Sequence, residues 1–180
     1  VLLKTERPAH EDEAIRVLNA AYEQSRNYNF KLRADDARLR QLTRTARALA
    51  AKAAQSGADD DRQQARLAAL EQRQTALEVF RERVLMYPTD LRLKFKLGKV
   101  LFEAGEFDEA IPVLQAARTD PRNRHRAAFL IGRAFLEKHN AVQAIEVLRE
   151  ALEHYELTDD FSKSLLYWLG RACEAAGNAE

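Results

Sequence analysis

FKLGKVLFEAGEFDEAIPVLQAARTDP at residues 95–121 is answered 34 positions later by FLIGRAFLEKHNAVQAIEVLREALEHY at residues 129–155. Gly98 and Gly132 hold the same place in the two copies, and a period of this length marks a chain built from stacked helical hairpins. Each copy reads as a first helix with a central glycine, a tight turn, and a second helix with a small residue facing back. In the first copy the pattern predicts a helix from Leu91 to Ala104, closed by Gly105 as a left-handed cap. Phe107 then opens the second helix ahead of Asp108 and Glu109, two acids suited to the positive end of the helix dipole. Ala110 and Ala144 each follow their glycine by 12 residues, and such small side chains let two backbones cross closely. Ala116, Ala117 and Ala151 leave room for the next unit. Leu97, Leu101, Leu114 and Ile131, Phe135, Leu148 fill the seam at helical spacing. Pro112, one turn into its helix, predicts a mild bend on the solvent side rather than a break.

Outward from these copies the pattern weakens in stages. A third begins near Lys163 with Leu169, Gly170, Cys173 and Gly177. Gly170 follows Gly132 by 38 residues, so the Glu156 to Ser162 connection carries extra chain and is expected to bulge. Backwards, Ala76 lies 34 residues before Ala110, and TALEVFRERVLMYPTD at 75–90 reads as another second helix. Residues 58–74 contain no central glycine, which predicts one long helix from Asp60 through Tyr87 with Asp59 or Asp60 as cap. Ahead of it a helix is expected from Ala34 to Ser56, ended by Gly57. Its Leu39, Leu42, Ala46, Leu49 and Ala53 follow coiled-coil steps. The two helices are expected to pair antiparallel, with Leu67, Leu70 and Leu77 as the facing stripe. DEAIRVLNAA at 12–21 echoes DEAIPVLQAA at 108–117, so the start reads as the second half of a repeat.

The two copies resemble the tetratricopeptide repeat (TPR). The family's glycine, alanine, second alanine and proline fall at Gly98, Ala110, Ala117 and, one residue early, Pro121. The second copy matches at Gly132, Phe135, Ala144 and Ala151, while His139 replaces the turn glycine and Glu156 stands in the proline's place. The family's tryptophan is Lys94, Ala128 and Leu166 here. The resemblance implies an all-α fold, a right-handed α-solenoid of helical hairpins, interrupted by the longer antiparallel, coiled-coil-like hairpin. The expected segments are a partial repeat-like helix at 1–30, the helical hairpin at 31–74, the second helix of a degenerate repeat at 75–90, repeats at 91–124 and 125–162, and the first helix of another at 163–180.

The 180 residues are 46% hydrophobic and 32% charged with 6 Gly and 4 Pro, the composition of a helix-rich protein with a core. Cys173, the single cysteine, allows no internal disulfide and fits a reducing compartment. No apolar run approaches the roughly 20 residues that span a bilayer. A cytoplasmic location is the expectation. The chain begins on Val1 and stops at Gly177-Asn178-Ala179-Glu180, where the pattern would turn into another helix, so it reads as a piece of a longer, bacterial-type protein.

Functional residues emerge when the three glycine-bearing helices are laid side by side. Lys99, Arg133 and Arg171 each follow the glycine; Phe95, Phe129 and Tyr167 precede it by three; Arg92, Arg126 and Ser164 precede it by six. Steps of three and four put them on one helical face. In TPR proteins that face lines the concave groove, so the resemblance implies cations alternating with rings inside it. An extended peptide with carboxylates and an aromatic or apolar side chain suits such a wall. The competing reading has the aromatics filling gaps between helices and the cations solvated or paired with Glu103 and Glu137. Family members that clasp a terminal carboxylate use groove asparagines, whereas Asn123, Asn140 and Asn178 are expected in turns.

The expected function is therefore a non-enzymatic scaffold for an acidic protein or peptide partner, without metal or cofactor. Residues 31–56 carry seven Lys/Arg (Lys31, Arg33, Arg38, Arg40, Arg44, Arg47, Lys52) against Asp35 and Asp36, a local +5 in a chain of +1. That surplus keeps open a nucleic-acid or ribosome-associated protein, although the arginines read as spread around the helix. A regulatory arm of an enzyme whose catalytic domain lies elsewhere is the third reading. His10, Glu11, Asp12 and Glu13 are consecutive and so diverge on a helix. His125, His139 and His154 fall at helix ends, Cys173 on a core stripe, and Asp159 with Asp160 reads as a cap. No nucleophile has a base beside it.

Overall fold

The structure, a computed structural model, describes residues 8–177. Residues 1–7 and 178–180, with the expected turn residue Asn178, lie outside the described part. The described residues form eight helices and no strand. They are α1 (Pro8–Ser25), α2 (Tyr28–Ser56), α3 (Asp59–Met86), α4 (Leu91–Ala104), α5 (Phe107–Ala117), α6 (Arg124–Glu137), α7 (Ala141–Glu153) and α8 (Asp160–Ala175). The chain divides into two units, Val1–Val79 and Phe80–Glu180.

In the second unit local chemistry sets the helix ends. The Asp90 carboxylate accepts from the backbone N–H groups of Arg92 and Leu93 at 2.8 and 3.2 Å, opening α4. Gly105 closes it at φ +81°, and the next N–H, Glu106, returns to the Leu101 carbonyl at 2.9 Å. In the following hairpin His139 takes the left-handed conformation at φ +56°, and Asn140 N–H returns to the Phe135 carbonyl at 2.8 Å. Histidine thus performs the turn that glycine performs in the copy before. α5 runs unbroken through the exposed Pro112. The longer connection to α8 is irregular until Asp159, which forms a capping box with Ser162.

α4 packs on α5 and α6 on α7; α5 then meets α6, and α7 meets α8. α4 also touches α6, and α6 touches α8, so the glycine-bearing helices lie side by side. Leu101, Leu114, Ile131, Leu148 and Leu165 are fully buried in the seams. Ala110, Ala117 and Ala144 are completely covered and Ala151 nearly so. The glycines make room for leucine in particular: a Cβ on Gly98 would stand 2.5 Å from Leu114 Cγ, and one on Gly132 2.5 Å from Leu148 Cγ. Each leucine is four residues beyond the alanine of its second helix, one turn along the same face. Gly170 has no such neighbour, with nothing within 4 Å of its Cβ position.

The first unit is organised around α1 and α2, which pack closely. Ala14, Ala34 and Ala37 are buried. Buried Glu11 is ion-paired with Arg44, and Gln41 donates to Asp12 at 2.8 Å. α2 starts at Tyr28, six residues before the expected Ala34, because Asn27 caps it by accepting from Asn29 N–H. At its far end Gly57, at φ +64°, turns the chain, and Asp61 of α3 receives Ser56 Oγ at 2.6 Å and Lys52 Nζ at 2.8 Å. α3 is continuous, as the missing glycine predicted, and spans Asp59–Met86 rather than Asp60 to Tyr87. The facing stripe needs correction. Leu77 is buried, but Leu67 and Leu70 remain 59% and 47% exposed. The residues of α3 that are buried in company with Leu77 are Thr75, Ala76, Val79 and Arg83, one turn or more beyond them.

Candidate protein-binding face

Side-by-side packing of α4, α6 and α8 brings side chains of the three helices together, and Arg133 of α6 shows how closely. Its guanidinium carbon lies 5.0 Å from the Phe102 ring centre on α4, 5.6 Å from Phe129 on its own helix and 4.3 Å from Trp168 on α8. All three separations fall within the range over which a cation is attracted to a ring face. Among the described residues no carboxylate forms an ion pair with Arg133, and its buried Nε has no hydrogen-bond partner. A planar guanidinium stacked on rings still presents terminal N–H groups in a fork that matches a carboxylate.

The other expected residues differ in kind. Lys99 sits 3.7 Å from Glu103, and Arg171 3.5 Å from Glu174, both pairs exposed. Such pairs contribute little and yield easily to a ligand. Arg92 and Arg126 are exposed, Phe95 is half-buried, and Tyr167 is 58% exposed. Phe129 is half-buried and meets Phe161 edge-on at 5.5 Å, so it serves packing as well as the face. Of the two expected carboxylate partners, Glu103 engages Lys99, whereas Glu137 has no ion pair with Arg133. Sequence reasoning missed Phe102, and of the adjacent Tyr167 and Trp168, which cannot share one helical face, it left open which of the two belongs to the groove and took Tyr167. The one tryptophan of the chain was a signal, but its ring meets the cation of a neighbouring helix 35 residues away, which no single-helix pattern displays.

Beside this face Tyr155 Oη donates to Asp159 Oδ2 at 2.8 Å. Backbone N–H donation from Ser162, then the tyrosine, holds the Asp159 carboxyl below its usual range, and the carboxylate in turn raises Tyr155. A carboxyl depressed in the folded state adds stability above its unfolded value of about 3.9 and loses it as pH falls. The cap of α8 is therefore acid-sensitive.

Elsewhere, α2 carries Arg40, Arg44 and Arg47 around one shallow depression with Asp36, Leu39 and Thr43. Steps of four and three gather these three arginines on one side, while Lys31, Arg33, Arg38 and Lys52 are not among the residues that line the depression. Glu11 on Arg44 and Asp61 on Lys52 offset two of the five surplus charges counted over residues 31–56. Cys173 is a free, half-buried thiol, and the described residues hold no cluster of metal-ligating groups.

The fold and this face define a class: an all-helical repeat protein whose glycine-bearing helices line one surface. The tetratricopeptide repeat family model matches at residues 66–124, 95–156 and 129–180, together more than half of the sequence. The chain belongs to the tetratricopeptide repeat family, and membership indicates protein–protein interaction in general. No curated protein matches it closely enough to be named a relative. No helix among the described residues is long and apolar enough to cross a membrane.

Proposed function

We propose that the protein is a non-enzymatic scaffold that receives an extended acidic segment of a partner across α4, α6 and α8. One observation carries the reading: Arg133 is held on three aromatic rings and has no ion pair with a carboxylate among the described residues. Ordering an arginine in advance lowers the entropic cost of binding, and its partly desolvated position strengthens attraction to an incoming carboxylate. Lys99 and Arg171 flank it on the neighbouring helices and would exchange weak internal partners for the ligand. Tyr167, largely exposed, offers contact area to an aromatic or apolar residue of the same segment.

The test is a peptide array of extended segments varied in Asp/Glu and aromatic content, probed with the full chain. Acidic, aromatic-containing peptides should be retained, and the same peptides with Gln for Glu should not. The triple variant Lys99→Ala, Arg133→Ala, Arg171→Ala should bind at least about tenfold more weakly, the equivalent of about 1.4 kcal/mol. Arg133→Lys separates charge from stacking geometry, since lysine keeps the charge and loses the planar fork. Equal capture of acidic and Gln-substituted peptides, by a triple variant that still melts cooperatively, would remove this reading.

A further inference from the structure

A second site lies at one edge of the repeat unit, built from the ends of three helices. Gln115, Arg118 and Thr119 come from the end of α5, Arg124, His125 and Ala128 from the start of α6, and Glu150, Ala151 and His154 from the end of α7. They enclose a cleft of about 340 Å³. None of these residues lies on the Lys99, Arg133, Arg171 face. A row of edge-on rings connects the two places: His125 to Tyr155 at 5.1 Å, Tyr155 to Phe161 at 5.2 Å, and Phe161 to Phe129 at 5.5 Å.

The hydrogen bonds of the lining residues determine what the cleft can hold. His125 Nδ1 lies 3.2 Å from the Ala151 carbonyl and His154 Nδ1 2.9 Å from the Glu150 carbonyl. A carbonyl oxygen only accepts, so each Nδ1 carries the hydrogen and each Nε2 is left for a ligand. Both carbonyls belong to the last turn of α7, where they have no intrahelical donor. The two rings thus close the helix and are oriented by the same contacts. Arg118 Nη2 holds Glu150 Oε1 at 2.7 Å, which occupies the cleft's one carboxylate and fixes an arginine that is only 23% exposed. The Arg124 side chain is exposed and has no ion pair among the described residues. Thr119 Oγ1 donates to the Ala116 carbonyl at 2.8 Å. Arg118, Arg124 and Glu150 together leave the cleft a surplus of one positive charge.

A cation is the poorer occupant. Its carboxylate ligand is already committed to Arg118, and the described residues present no set of three metal-ligating groups. A planar apolar ligand finds no ring face here apart from the His125 and His154 edges. A tetrahedral oxyanion finds two guanidinium groups from different helices and the Gln115 amide as donors around one volume, while the two imidazole Nε2 atoms can accept from the hydroxyl of a singly protonated phosphate.

We propose that this edge cleft binds a phosphate monoester group, through Arg118, Arg124, His125 and His154. The site is separate from the acidic-segment face, and its occupation is independent of whether that face binds anything. Titrating the 15N-labelled full chain with inorganic phosphate, then with O-phosphoserine, and with acetate as control, tests it directly. Both phosphates should produce saturable shifts at the backbone amides of residues 115–128 and 150–154, and acetate should not. A free-phosphate site binds the two equally, whereas a site for a phosphorylated side chain binds phosphoserine more tightly. Arg124→Gln, which breaks no internal contact, should weaken phosphate at least about tenfold, the loss expected for one charge-assisted contact. Lys163→Gln on α8 should leave the binding unchanged. Non-saturating shifts, acetate shifts equal to those of phosphate, or unaltered binding by Arg124→Gln would each overturn the assignment.

Discussion

The two hairpins α4–α5 and α6–α7 bury their large apolar side chains, whereas the long helix α2 buries only alanines and α3 leaves two of its leucines exposed. In the hairpins each central glycine admits a leucine of the facing helix, and Leu101, Leu114, Ile131 and Leu148 are all fully covered. Along α2 the buried residues are Ala34, Ala37 and Ala53, and on α3 Leu67 and Leu70 face outward. Helical periodicity is present in both regions. What distinguishes them is a cavity shaped for a specific side chain, and the glycine supplies it. Apolar spacing by itself tells which residues share a side, not whether anything covers that side.

The largest effect should come from filling the glycine cavity. Gly98→Leu places four further carbons where Leu114 Cγ already lies within 2.5 Å of the first, and Leu114 is wholly buried with no room to withdraw. The cost should be about 3 kcal/mol or more, at the upper end of overpacking, with loss of the cooperative melt of the repeat unit. Ala110→Phe should behave similarly, because that alanine is completely covered. A variant melting within about 1 kcal/mol of the parent would show that the seam repacks freely, and the contrast between the regions would lose its physical basis.

The third glycine sharpens the point in the opposite direction. Gly170 occupies the repeat position of Gly98 and Gly132, yet nothing stands within 4 Å of its Cβ position and it is exposed. Gly170→Ala should therefore stabilise the chain by about 1 kcal/mol, the ordinary gain of alanine over glycine within a helix. Gly132→Ala should lose stability instead, since its Cβ meets Leu148 at 2.5 Å. Paired urea denaturation curves decide it. Opposite signs support the cavity argument, and equal signs defeat it.

These positions also show how much could be read in advance. The glycine period located α4 to the residue, with Gly105 as its left-handed cap and Phe107 opening α5, because those signals lie within one turn of each boundary, whereas α8 starts at Asp160, three residues before the expected Lys163. The start of α2 was misread: its cap, Asn27, stands in a two-residue link whose preceding residue, Arg26, takes a positive φ of 53° without being glycine. The candidate face was legible as spacing. The partners of Arg133 were not, since Phe102 and Trp168 reach it from separate helices and the distance between them in sequence carries no helical period. The edge cleft was hidden for the same reason. His125 and His154 were readable as residues at helix ends, but only folding brings both to the last turn of α7.

The smallest effect should appear on α3, where sequence spacing had placed a buried stripe. Leu67→Gln with Leu70→Gln removes two apolar side chains that are 59% and 47% exposed, and glutamine has nearly the helix propensity of leucine. Stability should change by no more than about 0.5 kcal/mol, as for other surface substitutions. The measurement is a urea midpoint at two protein concentrations. Loss beyond about 1 kcal/mol at both would mean that the leucines are covered within the chain, so that the difference between the two regions is one of degree. Loss that appears only at the higher concentration would place their cover on another molecule, because association stabilises by mass action while internal packing does not.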